Sequence, residues 1–213
     1  MNYFSKTDRI IEICKGRRVL HIGCVGFADL QTDERVSLAK KSLHYALSNC
    51  ADTIGVDYSA EAINYYKSQK IFNNVTLGNA EALGTLNLVP DFDIIVAGDI
   101  IEHLSNPGNM LDGIRALCNE NTIVIITTPH AFGLMAFMRH LGNRFKEGQE
   151  HVFTMNTQNI ETLAKRHGFR IERIDTCHQD TANNGALFQI GRQFFRKVPK
   201  LGGTIFAILR PKT

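Results

Sequence analysis

The chain has 213 residues, 44% of them hydrophobic, with a formal net charge of +3. That length fits one domain, the apolar fraction supplies a sizeable core, and the charge is too small to argue for nucleic acid. No apolar run is long enough to span a bilayer, and MNYFSKTDRIIEICKG has no apolar segment of signal-peptide type, so a cytoplasmic location is expected.

Residues 1–16 are expected to form an N-terminal helix, and residues 17–22 a short buried strand that runs into Gly23-Cys24-Val25-Gly26. Val36, Ala39, Leu43, Ala46, Leu47 and Cys50 form a helical stripe over 34–50. ADTIGVD (51–57) reads as the second strand. SAEAINYYKSQK reads as the next helix, with Ser59 as N-cap. NVTLG (74–78) and DFDIIVAGD (91–99) are strands three and four. PGNMLDGIRALC (107–118) is a helix that opens at a proline, and NTIVIITTP (121–129) is the fifth strand. TQNIETLAKRHGF (157–169) is a helix stopped by Gly168, with late strands at 169–175 and 203–210. The five cysteines, Cys14, Cys24, Cys50, Cys118 and Cys177, form no CxxC pair. Their odd number points to reduced, buried thiols rather than a disulfide frame or a zinc site.

Alternating strands and helices with short joints imply right-handed crossovers and a parallel sheet with helices on both faces. Ligands of such sheets sit beyond the carboxyl ends of the strands. The unusual residues fall there: Gly23 to Phe27, Asp57, Asn79, and Asp99 to His103. The glycines let backbone amides approach a ligand. Asp57 is placed to accept hydrogen bonds from a ribose diol, although an acid there also suits the dipole of the helix that follows. The dinucleotide fingerprint GxGxxG is absent and no phosphate-cradling lysine stands in the loop, which disfavours NAD.

VLHIGCVGF, IGVDYSAEAI, LGNAEAL, FDIIVAGDIIEHLSNP, IVIITTPHAF and EHVFTMNTQNIETLAKRHGF, in this order, resemble the motifs of class I S-adenosylmethionine (SAM)-dependent methyltransferases. The resemblance covers residues 17–175 and is to the branch with an E-H-hydrophobic signature after strand four and a TPN-like turn after strand five. It implies a Rossmann-like three-layer α/β sandwich, with a seven-stranded, mostly parallel sheet and an antiparallel last strand. It also implies SAM across the ends of strands one to four: the loop His21, Gly23, Cys24, Val25 and Gly26 at the methionine part, Asp57 and Tyr58 at the ribose, Asn79 and Ala80 at the adenine edge, and Gly98 and Asp99 completing the set. His21 stands where the family has Asp, Val25 and Phe27 where it has glycine, and Asn79 where Asp is common. A neutral imidazole accepts a hydrogen bond as an acid does, and a carboxamide both donates and accepts.

Asp99, Glu102 and His103 are spaced i, i+3, i+4, a spacing that shares a face on one helical turn. His151, in GQEHVF, is a candidate to join them. Two carboxylates and two imidazoles suit Mg2+ or Mn2+. Ubiquinone-pathway O-methyltransferases and small-RNA 2′-O-methyltransferases use a metal at a similar E-x-x-E-H with a downstream histidine, and the resemblance implies such a site here. The other readings are that Glu102 and His103 only hold the loop, or that His103 is a direct base. His130 either lines the acceptor pocket or is an ordinary loop histidine. Residues 131–150 and 178–200 are candidate lid or acceptor insertions, or packed helices. The second interleaves aromatics with Arg192, Arg196 and Lys197, a pattern for pocket cover, an anionic acceptor or a membrane surface.

The reading is thus a single methyltransferase domain over 1–213 that O-methylates a small-molecule or glycan hydroxyl and releases S-adenosylhomocysteine (SAH). The alternatives are an RNA 2′-O- or N-methyltransferase and, in a different class, a non-catalytic SAM-binding sensor or partner subunit.

Overall fold

A computed structural model describes residues 4–26, 32–143, 148, 150–178 and 197–212. Phe27, Arg192 and Arg196 lie outside the described residues, as do parts of both candidate insertions. Among the described residues, no helix is long and apolar enough to cross a membrane.

The strands are β1 (Arg18–Ile22), β2 (Asp52–Asp57), β3 (Val75–Leu77), β4 (Ile94–Gly98), β5 (Ile123–Pro129), β6 (Phe169–Cys177) and β7 (Thr204–Pro211). They form one sheet in the order β3-β2-β1-β4-β5-β7-β6. The pairings β1–β2, β1–β4, β2–β3 and β4–β5 are parallel. The last strand, β7, is antiparallel to both β5 and β6, as expected. Neighbours β1 and β4 are almost wholly buried because helices cover both faces, so their sequences are continuous apolar runs rather than alternations.

The helices are α1 (Lys6–Cys14), α2 (Thr32–Ala39), α3 (Leu43–Ser48), α4 (Ala60–Ser68), α5 (Pro107–Leu117), α6 (Leu134–Leu141) and α7 (Thr157–Arg166). Successive strand side chains point to opposite faces, which splits the core in two. Leu20, Ile22, Ile95, Ala97 and Ile126 pack with Leu111 and Ile114 of α5 and Ile160 of α7. Val19, Ile94, Val96 and Ile125 pack on the other face with Ile10 and Cys14 of α1 and Leu47 of α3. A third cluster joins Cys24 and Val25 to Ala62, Ile63 and Tyr66 of α4.

Two expectations change. The stripe over 34–50 is not one helix: it breaks between α2 and α3 at Ser42, whose backbone is extended (φ −72°, ψ 157°) and whose side chain accepts from the Tyr45 N–H. Serine competes for backbone donors in this way, and the cap outweighs continuation of the helix. The packed-helix reading of the Met- and Phe-rich stretch also fails, because no residue of α6 is buried. Met135, Phe137, Met138 and Leu141 are all more than half exposed.

At Gly55, in β2 behind the glycine loop, a Cβ would stand 2.6 Å from the Cys24 sulfur, 2.8 Å from His44 Cε1 and 3.0 Å from Val75 Cγ2. Overpacking of this kind costs about 1–3 kcal/mol. Gly55→Ala is therefore expected to lower the stability read by urea denaturation by that amount. An unchanged midpoint would contradict the packing described.

Candidate active site

The ends of β1 to β4 line a cleft of about 770 Å3. Its walls hold Gly23, Val25 and Gly26 after β1, Asp57, Tyr58 and Ser59 after β2, Asn79 and Ala80 after β3, and Asp99, Ile100 and His103 after β4. Gly23 turns the chain with φ +70°, and a Cβ there would lie 2.6 Å from Ile100 Cδ1, so both the turn and the close approach require glycine. The carboxylate of Asp57, only 5% exposed, organises the loop. Its Oδ2 accepts the Val25 N–H at 2.8 Å and its Oδ1 the Ser59 N–H at 3.1 Å. Burial raises the Asp57 pKa, while these N–H groups pull it the other way. Each carboxylate oxygen keeps a second lone pair for a ligand hydroxyl. Asn79 uses its side-chain oxygen to cap the Glu81 N–H at 2.9 Å, which leaves its NH2 group as the donor.

Three residues expected at the cofactor, His21, Cys24 and Gly98 at the end of β4, are not among the walls of the cleft. His21 is buried in β1, with Nδ1 3.3 Å from Nδ1 of His44. Burial holds His21 well below the ordinary imidazole range and lowers His44 to about 4, so the pair is neutral at neutral pH. Cys24 is 4% exposed in the cluster beneath α4, and burial raises its thiol pKa. His21 and Cys24 brace the loop from behind.

Past β4 the expected helical face does not form. Asp99 has a left-handed backbone (φ +49°), which Asp tolerates better than most residues, and the 3-10 turn begins only at Ile101. The Asp99 N–H donates to the Thr127 carbonyl at 2.9 Å, and the Thr127 hydroxyl donates to Asp99 Oδ1 at 2.9 Å. Its Oδ2 accepts from Lys6 of α1. Asp99 is thus turned to Thr127 and Lys6 and stands apart from the group formed by Glu102, His103 and His151.

One ligand atom from each of those three residues lies within 4.8 Å of the others. Glu102 is 1% exposed, and its Oε2 accepts from the Thr128 hydroxyl at 3.0 Å. Burial pushes its carboxyl up to about 7, and the charge of Asp99 adds to the rise. The Glu102 carbonyl accepts the N–H groups of Val152 (2.8 Å) and Phe153 (3.2 Å), which ties the 150–153 loop over the turn. That tie brings His151 edge-on to His103, with ring centroids 4.7 Å apart. His103 Nδ1 lies 3.2 Å from the Glu150 carbonyl, which can only accept, so in the neutral ring the proton sits on Nδ1 and the lone pair on Nε2. His130 is 6% exposed, pairs through Nδ1 with the Gly202 carbonyl at 3.0 Å and does not line the cleft. Sequence reasoning missed Lys6, Thr127 and Thr128. The two threonines sit at the carboxyl end of β5, where the strand-end rule could have found them; nothing local marks Lys6.

The raised Glu102 pKa fixes a sign. An acid whose folded pKa lies above its ordinary 4.5 contributes stability that is complete below 4.5 and is lost as pH rises through about 7. Glu102→Gln cannot ionise. In the presence of a chelator, its melting temperature is expected to gain on the wild type as pH rises through this window. The buried histidines cancel in that difference, and a flat difference would contradict the burial of an ionisable carboxyl here.

A family model described as a methyltransferase domain matches residues 3–174. No curated protein matches the sequence. Among solved structures, a SAM-dependent methyltransferase from Archaeoglobus fulgidus is similar, with a TM-score of 0.59 and 19% identity over 97% of this chain and 91% of that one. One from Clostridium acetobutylicum has a TM-score of 0.60 and 16% identity, over 97% and 91%. Magnesium protoporphyrin IX methyltransferase from Synechocystis, solved with bound SAH, has a TM-score of 0.58 and 14% identity, over 96% and 81%. Identities this low carry the fold alone, but the domain match spans most of the chain, and its strand-end cleft is the one the motifs call for: the protein belongs to the class I SAM-dependent methyltransferase family.

Proposed function

We propose that this methyltransferase, acting as one domain over 1–213, transfers the methyl group of SAM to the oxygen of a small hydroxyl acceptor, with SAH as product. The observation that carries the reading is the Glu102–His103–His151 cluster, brought together beside the β4 end of the cleft. A protein that only bound SAM would have no use for a carboxyl–imidazole group there. In this reading the adenine lies at Asn79 and Ala80, the ribose at Asp57, and the methionine part at the Gly23–Gly26 loop and the end of β4.

The sulfonium is already an activated donor, so alignment is the main task and is worth about 7–11 kcal/mol. The acceptor hydroxyl gives its proton to His103 Nε2 as its oxygen lone pair attacks the methyl carbon. The carbon–sulfur bond breaks and its electron pair stays on sulfur, which leaves neutral SAH. Such a base is worth about 10² to 10⁴ in rate. Thr128 holds the Glu102 carboxyl in place, and the Glu150 carbonyl fixes the His103 tautomer. Val152 and Phe153, both exposed, put apolar surface beside the cluster, which suits a phenol better than a sugar.

The same three side chains favour a second, metal-assisted version. One carboxylate oxygen and two imidazole nitrogens within 4.8 Å fit a divalent ion, Mn2+ better than all-oxygen-preferring Mg2+, without Asp99. An ion held by Glu102, His103 and His151 would act as a Lewis acid that lowers the pKa of the acceptor hydroxyl.

The test is incubation with methyl-labelled SAM and a panel of phenols, sugars and RNA, read by mass spectrometry. A methyl ether on a phenol or sugar is expected, and methylated nitrogen or RNA would contradict the reading. With the labelled acceptor in hand, chelation separates the versions. Loss restored by Mn2+, with His151→Ala as damaging as His103→Ala, identifies the metal. Unchanged activity leaves His103 as the base. Asp57→Ala is expected to weaken SAH binding by about 1.5–3 kcal/mol, the range for hydrogen bonds to a charged group. Unchanged affinity in calorimetry would remove Asp57 from the ribose site.

A further inference from the structure

A buried pair of imidazoles stands behind the cofactor loop and takes no part in the reaction proposed above. His44 is the second residue of α3, and its ring meets that of His21 in β1. His44 is wholly buried and His21 is 4% exposed. Their Nδ1 atoms are 3.3 Å apart. Such a contact needs one Nδ1 that donates and one that accepts, so the two neutral rings hold opposite tautomers. The His44 ring also meets Phe72 edge-on, with centroids 5.0 Å apart, and its Nε2 is buried without a hydrogen-bond partner. An orphaned polar nitrogen is costly in a core, and an apolar ring would fill the same space without that cost. What the histidine adds there is its bond to His21.

His44 reaches the loop at two points. His21 comes two residues before Gly23, whose N–H donates to the Val56 carbonyl at 2.9 Å. The Cys24 sulfur and His44 Cε1 sit side by side over Gly55, 2.6 Å and 2.8 Å from where a Cβ there would stand. Gly23, Val25 and Gly26 line the cleft, and His44 does not. The groups around the pair do not favour a further charge. Lys6 of α1 works against a cation on His21, and Cys24 is a thiol kept neutral by burial. Tyr66 of α4 gives its hydroxyl to the Gly26 carbonyl. The strand-end acids are engaged elsewhere, Asp57 with the Val25 and Ser59 N–H groups and Asp99 with Thr127 and Lys6. A further proton has two places to go. On the accepting Nδ1 it sets two N–H groups against each other, and on the free nitrogen of the donating ring it puts a cation in a dry pocket. We infer that His44 is a positioning residue: through His21 and Cys24 it holds the cofactor loop in its binding shape, and it does so only while the two rings share one proton between their Nδ1 atoms. This step rests on the SAM cleft and on no particular acceptor.

Calorimetry with SAH on the wild type and two variants tests this. His44→Phe fills the pocket but breaks the bond, and is expected to weaken SAH about fivefold to a hundredfold at neutral pH. Asparagine offers an amide near the position of Nδ1 and takes no charge, so His44→Asn is expected to stay within about threefold of the wild type. The remaining arm is pH. Burial lowers His44 to about 4, so wild-type affinity is expected to fall as pH drops toward that value. Asp57 titrates in every protein and cancels in the ratio of wild-type to His44→Asn affinity. That ratio is expected to fall with acid, because only the wild-type pair can be split by a second proton. A ratio independent of pH would overturn the inference and reduce His44 to core packing, and it decides the matter even where His44→Phe does not fold. Variants that lose melting temperature while keeping wild-type SAH affinity at every pH would overturn it as well. Wild-type protein that binds no SAH would remove the cofactor cleft together with this inference, whereas wild type and both variants binding SAH equally would remove this inference alone.

Discussion

The cleft depends on one buried carboxylate. Asp57 ends β2, and its two oxygens tie the Val25 and Ser59 amides to each other across the top of the sheet. The first bond closes the loop after β1; the second starts the chain toward α4. A loop with valine between its glycines does not hold its shape by backbone freedom alone. It holds because a tertiary hydrogen bond takes up the Val25 amide and because Cys24 and Val25 are packed into the cluster under α4. An acid that must remain unpaired in water is cheap, but one that is 5% exposed must be satisfied, and here its partners are the loop itself.

The other end of the cleft is governed by the left-handed turn at Asp99. Strand β4 ends at Gly98, and the next residue, Asp99, has a left-handed backbone. That turn parts two acids that lie three positions apart. Asp99 is directed to Thr127 and Lys6 in a partly exposed pair, while Glu102 is driven into a dry site against Thr128. Their environments separate their chemistry. One stays beside a cation at the edge of the cleft, and the other has its carboxyl pushed up to about 7 next to two histidines. Nearby carboxyls set in different surroundings are a recurring way to divide binding from chemistry.

The fold was largely legible in the sequence because buried parallel strands are written as apolar runs, and IIVAG and IVIITT could hardly be anything else. The strand-end rule placed Asp57, Asn79, Asp99 and His103 on one cleft for the same reason. The failures have different physical causes, some local and some long-range. The stripe over 34–50 ignored the capping power of Ser42. The i, i+3, i+4 argument assumed a helix through Asp99, where the backbone is left-handed. His21, expected at the cofactor by its position, turns to His44 because strand side chains alternate and its side faces α3. Lys6 and Asp99 are 93 residues apart, and no spacing rule reaches that far.

In the proposed reaction the cofactor cleft and the Glu102–His103–His151 cluster are two parts of one site. A crystal structure with SAH tests this most directly. The account predicts the ribose hydroxyls on Asp57, the amino-acid end at Asp99, and the sulfur turned toward His103 with space for an acceptor between them. SAH bound in the cleft with its sulfur facing away from His103 and His151 would contradict it.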